Sequence, residues 1–303
     1  MPGQLKEVRN RIKSVQSIQQ ITKAMKMVSA AKLRRANDAI LQMRPYALKL
    51  QDMLQNIVSN SDGGVEMTLA AERPVEKVLI VIITSDRGLC GAYNANLIKL
   101  AKQTIRERYS EQNSKGNVSV MPIGKKGYDH FIRHQFKVVS GYRDLFQGLS
   151  FEDVQKASAY IMQAFTNKEF DVVEIVYSQF RNAVVQEFQV ERFLPIPRAA
   201  SSTKEKDTKE QHTGKYRADF IFEPGQEELI TELMPKILNT QLFKAMLDAN
   251  ASEHGARMTS MDKATDNAED LLRNYRISYN RARQAAITTE LTEIVSGAAA
   301  LEG

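Results

Sequence analysis

The stretch ASEHGARMTSMDKATDNAEDLL, residues 251–272, is spaced like a helix but lacks the apolar face of an ordinary core helix. It contains no proline, and no glycine follows Gly255. Its large apolar residues are only Met258, Met261, Leu271 and Leu272. Alanine, serine, threonine and charged side chains fill the other positions, so the sequence predicts a helix with a small and largely polar surface.

This stretch is the middle of a much longer helical segment. Between Lys236 and Ser296 only Gly255 opposes a helix, and the many alanines and methionines favour one. From Gln226 to Ala300 such a helix would extend roughly 110 Å at 1.5 Å per residue. Because a globular domain of this chain length is much narrower, the helix is expected to run beyond any compact core.

A second long helix is predicted at the amino-terminal end. Over Leu5–Val28 the apolar residues recur at steps of three and four, which indicates a helix and not a strand. This helix is expected to span Gln4–Ser59, roughly 80 Å, and to stop at NSDGG, 60–64. Pro45 is expected to kink it without ending it, whereas Pro235 marks either the start of the other long helix or a kink in it.

The two ends of the chain carry opposite charge. Residues 1–60 hold 11 Lys and Arg against 3 Asp and Glu, and residues 225–303 hold 8 against 12. Complementary charge on two long helices predicts that they pair as an antiparallel coiled coil. Since the carboxyl-terminal helix is longer, about 20 of its residues, roughly 30 Å, are expected to project beyond the pair.

Residues 61–224 follow a different pattern, in which strands alternate with helices. The stretch KVLIVIIT, 77–84, is a continuous β-branched run of the kind found in buried parallel strands. Further strands are predicted at 117–124, 136–142, 171–180, 184–196 and 216–224, and helices at 97–109, 125–134 and 151–165. The strands at 171–180 and 184–196 are expected to be antiparallel neighbours, and the lysine-rich 198–215 to be a loop.

The predicted fold is therefore α/β. Segments 1–60 and 225–303 form a long antiparallel two-helix coiled coil, and a Rossmann-like α/β domain of mostly parallel sheet, 61–224, is inserted between them.

Composition excludes several classes of protein. The longest apolar run, Val78–Ile83, is far short of the ~20 residues that a membrane span needs. The amino-terminus has no apolar stretch of the secretory type, and a single cysteine, Cys90, excludes an internal disulfide framework. These features favour a soluble protein of a reducing compartment. The net charge of +6 invites a nucleic-acid interpretation, but the acidic carboxyl-terminal segment opposes it.

Two glycine-containing turns could suggest chemistry. SDRGLCGAYN, 85–94, lies between a buried strand and a helix, where α/β folds bind ligands. Its spacing matches no nucleotide-binding motif, so we interpret it as a tight turn with Cys90 as a small packing residue. GKKG, 124–127, is not a phosphate-binding loop either, because no serine or threonine follows its lysines.

The histidines do not form a convincing metal site or catalytic site. His130 and His134 lie four residues apart on a predicted helix, where two metal ligands can sit. No glutamate completes an H-E-x-x-H pattern, so a surface helix face is the favoured interpretation. Neither His212 nor His254 is accompanied by a serine-nucleophile motif. We therefore predict no catalytic residue, no metal and no cofactor.

A basic cluster on the first helix points instead to a partner. Its members, which have no acidic residue among them, are Lys23, Lys26, Lys32, Arg34 and Arg35. The plain alternative is a solvated face, which charge runs usually are. The small residues between them, at 29–31, and the position on a rod favour an acidic partner.

Four stretches of the sequence resemble the gamma subunit of F-type ATP synthases. They are ITKAMKMVSAAKLRRA, 21–36; the turn 85–94; the helix 251–271; and YNRARQAAITTELTEIVSGAAAL, 279–301. They follow the family's order over the whole chain. The last is the most specific, since the family's terminal signature is matched by Ile287, Thr288, Glu290, Glu293, Gly297 and Ala298.

The resemblance implies a central rotor shaft. It would couple proton-driven rotation of a membrane c-ring to ATP synthesis or hydrolysis on beta subunits, without catalytic groups or a cofactor of its own. The implied contacts with the ring of alpha and beta subunits are Lys23, Met25, Lys26, Arg34, Arg35, Arg257, Met258, Gln284, Thr288, Glu290, Thr292 and Glu293. Residues 285–303 are expected to sit in an apolar sleeve of that ring.

The resemblance also implies a role for the small side chains of 251–272. One narrow stripe is expected to pack on the first helix, while the other faces, Arg257 and Met258 among them, sweep past acidic loops of the beta subunits.

The resemblance also implies further partners and a location. The α/β domain is expected to contact an epsilon subunit and the c-ring, with membrane association only through the complex and no nucleic acid. Chloroplast members carry a regulatory pair of cysteines, which this chain lacks. Without a transit-like amino-terminus, the cytoplasmic face of a bacterial plasma membrane is favoured.

Two other functions are considered beside this one. A nucleotide-dependent α/β enzyme with helical arms would bind ATP or a dinucleotide tightly on its own. A basic coiled-coil scaffold for nucleic acid would bind DNA or RNA with steep salt dependence.

Overall fold

A computed structural model describes residues 2–60, 68–196 and 226–302. The helices are α1 (Pro2–Asn60), α2 (Tyr93–Arg108), α3 (Ser110–Ser114), α4 (Lys125–Arg133), α5 (Phe151–Thr166) and α6 (Gln226–Glu302), with a short 3-10 turn at Leu145–Gly148. The strands are β1 (Val78–Ile83), β2 (Val118–Ile123), β3 (Lys137–Val138), β4 (Val172–Phe180) and β5 (Gln186–Leu194). The segment 198–215, the strand expected at 216–224 and the helix stop expected after Asn60 lie outside the described residues.

The helices α1 and α6 pair in antiparallel fashion, as the sequence predicts. Arg9 donates a hydrogen bond to the Tyr279 hydroxyl over 2.9 Å, and Lys26 forms an ion pair with Asp262. Between these two contacts each helix advances by 17 residues, in opposite directions. Between them the Thr265 hydroxyl donates to that of Thr22 over 2.8 Å. These three contacts, which follow one another in opposite directions along the two helices, confirm the antiparallel coiled coil.

Both prolines are accommodated within continuing helices. Pro45 lies inside α1 and Pro235 inside α6. Each removes one backbone hydrogen bond without ending its helix. Because α6 begins at Gln226, Pro235 does not mark its start.

The inserted sheet is mostly parallel and has the order β3-β2-β1-β4-β5. The first four strands in this order pair in parallel, and β5 pairs with β4 in antiparallel fashion, as expected for 171–180 and 184–196. Every residue of β1 is buried, which is typical of a central parallel strand covered on both faces. The strand expected at 136–142 is reduced to Lys137–Val138. After this short strand the backbone turns away from the sheet at Gly141, whose φ of +122° is readily adopted only by glycine.

Alternate residues of β1 build the two cores of the domain. Leu79, Val81 and Ile83 belong to a cluster that α5 and α6 complete on one face of the sheet. The intervening Val78, Ile80 and Ile82 belong to a cluster that α2 and α4 complete on the other face. The helix α6 therefore contributes both to the coiled coil and to the core of the inserted domain.

A third, smaller cluster joins all the parts. It contains Ala36 and Ile40 of α1, Leu247 and Ala251 of α6, and Phe180 at the end of β4. Burial of these apolar side chains fixes the sheet domain beside the coiled coil, since each large one removed from water contributes about 1.5–3 kcal/mol.

Candidate functional site

The first half of 251–272 is small because the sheet domain packs on it. Ser252 is buried and its hydroxyl donates to the backbone carbonyl of Ser178 over 3.1 Å. A Cβ atom at Gly255 would lie 3.3 Å from the backbone of Ala183, in the turn between β4 and β5. The interpretation that only a narrow stripe of this helix packs is therefore wrong for its first three turns. Small residues are needed there because a backbone approaches closely.

From Met261 onward, the same stretch does show a narrow buried stripe. Met261, Ala268 and Leu272 are buried, whereas Leu271 is exposed. The three buried residues are separated by seven and four positions, so they share one face of the helix. That face lies toward α1, because Thr265 on the same side bonds to Thr22.

The turn 85–94 uses its polar groups internally. The Asn94 side chain accepts from the backbone N–H of Ser85 over 3.0 Å and donates to the Ser85 hydroxyl over 2.7 Å. That hydroxyl in turn donates to the carbonyl of Arg87 over 2.7 Å. Cys90 is buried within this network, so it is a packing residue, as the sequence predicts. Leu89 has a φ of +65°, an uncommon value outside glycine, and its side chain is exposed.

Arg257 fastens α6 to that turn. Its guanidinium donates to the backbone carbonyl of Arg87 over 3.0 Å and forms an ion pair with Glu253. Only 8% of Arg257 is exposed, so it does not present its charge to solvent as a sweeping surface would. Met258, beside it, is half-buried.

The ionisable neighbours of Arg257 have shifted pKa values. Burial raises the pKa of Glu253, although the charge of Arg257 acts in the opposite direction. Burial, together with the positive charges of Arg257 and Lys32, lowers the pKa of His254 to about 4. The imidazole of His254 is therefore neutral at physiological pH.

The GKKG motif has a structural explanation. Gly124 has a φ of +100°, and a Cβ atom there would lie 2.0 Å from the carbonyl oxygen of Thr84. The backbone N–H of Gly127 donates to the Thr84 hydroxyl over 2.9 Å. The two glycines let the start of α4 approach the end of β1, a role that needs no phosphate.

His130 and His134 stack on each other along α4. Their ring centroids are 4.1 Å apart, and His134 Nδ1 lies 2.8 Å from the carbonyl oxygen of His130. Within the described ranges, three or more His, Cys, Asp or Glu side chains nowhere gather closely enough to hold a metal ion.

The basic cluster of α1 is divided between the coiled coil and solvent. Lys26 is half-buried and engaged with Asp262, and Met25 is also half-buried. Lys23, Arg34 and Arg35 are exposed. Val28, which the apolar spacing over Leu5–Val28 places in the packing seam, exposes 57% of its surface, and Met27 beside it, which sequence reasoning missed, exposes 61%. The signal was available, because two consecutive apolar residues cannot both face α6.

The end of α6 is an unaccompanied helix. Gln284, Thr288, Glu290, Thr292 and Glu293 are all exposed on it. An apolar stripe runs along the same segment and consists of Ile287, Leu291, Ile294 and Val295, each between 49% and 68% exposed. Their spacing of four, three and one places them on one face, which no described part of the chain covers.

Threonine hydroxyls on this segment are satisfied within the helix. Thr288, Thr289 and Thr292 each donate to the carbonyl four residues earlier, over 2.8–3.0 Å. Since these hydroxyls are already bonded to the helix backbone, the surface they offer to a neighbour is less polar than the sequence indicates.

Comparison with known proteins adds an independent observation. The family model described as ATP synthase matches residues 4–301. The ATP synthase gamma chain of Cytophaga hutchinsonii is 50% identical over 302 residues, covering 99% of both chains. That of Chlorobium phaeobacteroides strain BS1 is 47% identical over 299 residues, also covering 99% of both.

Solved structures of similar fold include chains of two mitochondrial ATP synthases. A chain of the Euglena gracilis mitochondrial ATP synthase (OSCP/F1/c-ring, rotational state 3) has a TM-score of 0.66 and 20% identity, and the match covers 99% of this chain and 95% of that one. A chain of the Tetrahymena thermophila mitochondrial ATP synthase central stalk and c-ring has a TM-score of 0.57 and 21% identity, covering 80% and 99%. At these identities the likeness concerns the fold. In the described part of this chain, no helix is long and apolar enough to cross a membrane.

Proposed function

Since this chain belongs to the gamma-chain family of ATP synthase and is a gamma subunit of the central stalk, we propose that its paired helices α1 and α6 turn as a shaft inside a ring of alpha and beta subunits. Rotation driven by a membrane c-ring is coupled in this way to ATP synthesis or hydrolysis at sites on the beta subunits. The chain supplies no catalytic group and no cofactor of its own.

The observation that carries this proposal is the unaccompanied end of α6. Among the described residues, the hydrogen bond between α1 and α6 that lies nearest to this end is that of Arg9 with Tyr279, and the helix continues to Glu302. Its stripe of Ile287, Leu291 and Ile294 is exposed. Burying a Leu or Ile side chain contributes about 1.5–3 kcal/mol, so this stripe favours an apolar sleeve around the helix.

The remaining contacts are proposed to be shallow and electrostatic. A shaft that turns must touch successive copies of the same neighbour without being trapped by any of them, and deep anchors worth ~2 kcal/mol or more would trap it. Exposed Lys23, Arg34 and Arg35 attract acidic loops over a distance, and half-buried Met25 offers an adaptable contact.

Two residues have a revised place in this proposal. Lys26 acts in part through its pairing with Asp262, and Arg257 acts by holding the turn 85–94 in place. Near them, half-buried Met258 and exposed Leu89 are proposed to meet the beta subunits.

On the projecting end, the polar residues Gln284, Thr288, Glu290, Thr292 and Glu293 are proposed to contact the ring beside the apolar stripe. We propose that the shaft consists of segments 1–60 and 225–303, and that 61–224 is the inserted domain. The inserted domain contacts an epsilon subunit and the c-ring, so that the chain lies at the cytoplasmic face of a bacterial plasma membrane through the complex.

Truncation of residues 284–303 tests the proposal in the assembled complex. We expect ATP-driven proton pumping to fall, while nucleotide binding by the alpha and beta subunits is retained.

A sharper test uses two double variants within the segment itself. Leu291→Ser with Ile294→Ser removes the stripe, and Thr289→Ser with Ser296→Ala changes the opposite face. Only the first pair is expected to reduce pumping. Pumping at the wild-type level after truncation, or purification from native membranes without alpha and beta subunits, would refute the shaft.

A further inference from the structure

The face of the sheet opposite α5 and α6 carries an open groove of about 810 Å³ between α2 and α4. The basic side chains along this α2–α4 groove are Lys99, Lys102, Arg106, Lys126 and Arg133. The acidic residues among them are Glu107 and Asp129. Basic residues are therefore in excess by three, and no residue of α1 or α6 lines the groove.

The positive charges of the groove are regularly spaced and unused. Lys99, Lys102 and Arg106 follow each other at steps of three and four, so they form one row of about 10 Å along α2. On α4, Lys126 and Arg133 are seven residues apart and span a similar length. In the ranges that the structure describes, none of these five side chains forms an ion pair.

The floor of the groove is partly apolar and contains an unsatisfied polar atom. Ala95 and Ile98 of α2 line it together with His130 of α4. Nε2 of His130 is buried and has no hydrogen-bond partner in the described part of the chain. Burial, followed by the charges of His134, Lys102 and Arg133, lowers the pKa of His130. A ligand that supplied carboxylates would offset the positive charges around His130, and a hydrogen-bonding group on the ligand would pair with Nε2.

We propose that the α2–α4 groove docks an acidic helical segment of a partner protein. Carboxylates that repeat every three or four residues along such a helix match the two rows of basic side chains, and an apolar residue between them fits over Ile98. Glu107 and Asp129 interrupt the positive rows, which disfavours a nucleic acid with its unbroken phosphate charge. The concave shape and apolar floor disfavour a flat lipid surface. The inference does not depend on the shaft function.

Binding of synthetic peptides to the full-length chain tests this inference. The probe is a helical peptide of about 14 residues, roughly four turns, with Glu at every third or fourth position and Leu between. Its counterpart carries Gln in place of each Glu. The groove variant combines Lys102→Gln, Arg106→Gln and Arg133→Gln. The control variant removes the same charge from exposed positions outside the groove with Lys77→Gln, Lys115→Gln and Lys137→Gln.

We expect the Glu peptide to bind the wild-type chain and the control variant with affinities within about twofold, and the groove variant about tenfold more weakly, since three partly exposed charge pairs are lost. The Gln peptide should bind at least about tenfold more weakly than the Glu peptide. Binding should also raise the pKa of His130, which NMR can follow because the chain has only 4 histidines.

Three results would overturn the proposal. The first is an equal loss of affinity in the groove and control variants, which would indicate non-specific attraction. The second is no binding of the Glu peptide. The third is tighter binding of ATP, or of phosphatidylglycerol vesicles, than of the Glu peptide.

Discussion

The guanidinium of Arg257 donates a hydrogen bond to the backbone carbonyl of Arg87 over 3.0 Å, across 170 positions of sequence. The same guanidinium pairs with Glu253 one turn earlier on α6. One buried side chain therefore joins the long helix to the turn that follows β1. The position of the exposed Leu89 relative to the coiled coil depends on this contact.

Removal of Arg257 should destabilise the chain strongly. In Arg257→Ala the carboxylate of Glu253 stays buried without its charge partner, which typically costs about 3–5 kcal/mol. We expect a lower urea midpoint of unfolding, measured by circular dichroism on the full chain. The double variant Arg257→Ala with Glu253→Gln should recover part of this loss, since no unpaired charge remains. A single variant as stable as the wild type would show that the pair is not held as described.

A neutral residue in place of Asp248 should alter how stability depends on pH. Burial raises the pKa of Asp248 to about 6, against the opposing charges of Lys244 and Arg44. The folded state therefore holds a proton that the unfolded state releases near pH 4. The stabilisation that comes with this proton is complete below that pH and is lost as the pH rises through 6.

We expect Asp248→Asn to be more stable than the wild type at pH 7–8, by about 2–3 kcal/mol, and to lose this advantage near pH 4. Urea unfolding at both pH values measures the difference. A pH-independent difference for Asp248→Asn would contradict the prediction.

The effect of His254 on how stability changes with pH should be opposite to that of Asp248. Its pKa is lowered to about 4, so in acid the unfolded state takes up a proton before the folded state does. The stabilisation from neutral His254 is present above pH 6.5 and is lost as the pH falls towards 4. Compared with the wild type, His254→Gln should gain up to about 2 kcal/mol between pH 7 and 4.5, allowing for partial solvent screening.

Urea unfolding of the wild type and of His254→Gln at both pH values measures this difference. Asp248 and His254 oppose each other between pH 4 and 6, so the wild-type chain should show a flatter curve than either single variant. A steeper wild-type curve would argue against both assignments.

Gly255 should tolerate little enlargement. A Cβ atom there would approach the Cα and carbonyl oxygen of Ala183 to 3.3 Å, and a valine would add two further methyl groups. We expect Gly255→Val to cost about 1–3 kcal/mol by overpacking. At Gly297, an added Cβ would have no atom of the described chain within 4 Å apart from its neighbours in the helix itself, so Gly297→Val should change the urea midpoint little. Equal effects at the two glycines would contradict the close approach.

The long helices and β1 could be predicted because their patterns allow one interpretation. The steps of three and four over Leu5–Val28 do not fit a strand, and the β-branched run Val78–Ile83 does not fit an exposed helix. Both appear in the structure as α1 and β1. Opposite charge on the two ends also predicts their pairing, which the contact of Lys26 with Asp262 confirms.

The first half of 251–272 is not predictable from sequence because small residues are ambiguous. An alanine or glycine on a helix surface can serve a surface that slides or one on which a backbone packs closely, and sequence alone does not distinguish them. The close approach of the Ala183 backbone shows that a backbone packs here, and Ala183 is 72 positions away from Gly255 in the chain. The same applies to Arg257, whose charge indicated a partner but whose contacts are the carbonyl of Arg87 and the carboxylate of Glu253.

The double role of α6 has a consequence for synthesis on the ribosome. The amino-terminal helix is made first, but its companion begins at Gln226, and Met234, Leu242 and Met246 of that companion also complete the core of the sheet domain. At 5–20 residues per second, roughly 10–30 s pass between the end of α1 and the start of α6. During that interval the apolar seam of α1 is bare and α5 alone covers its face of the sheet, so the nascent chain exposes aggregation-prone apolar surface until its last quarter emerges.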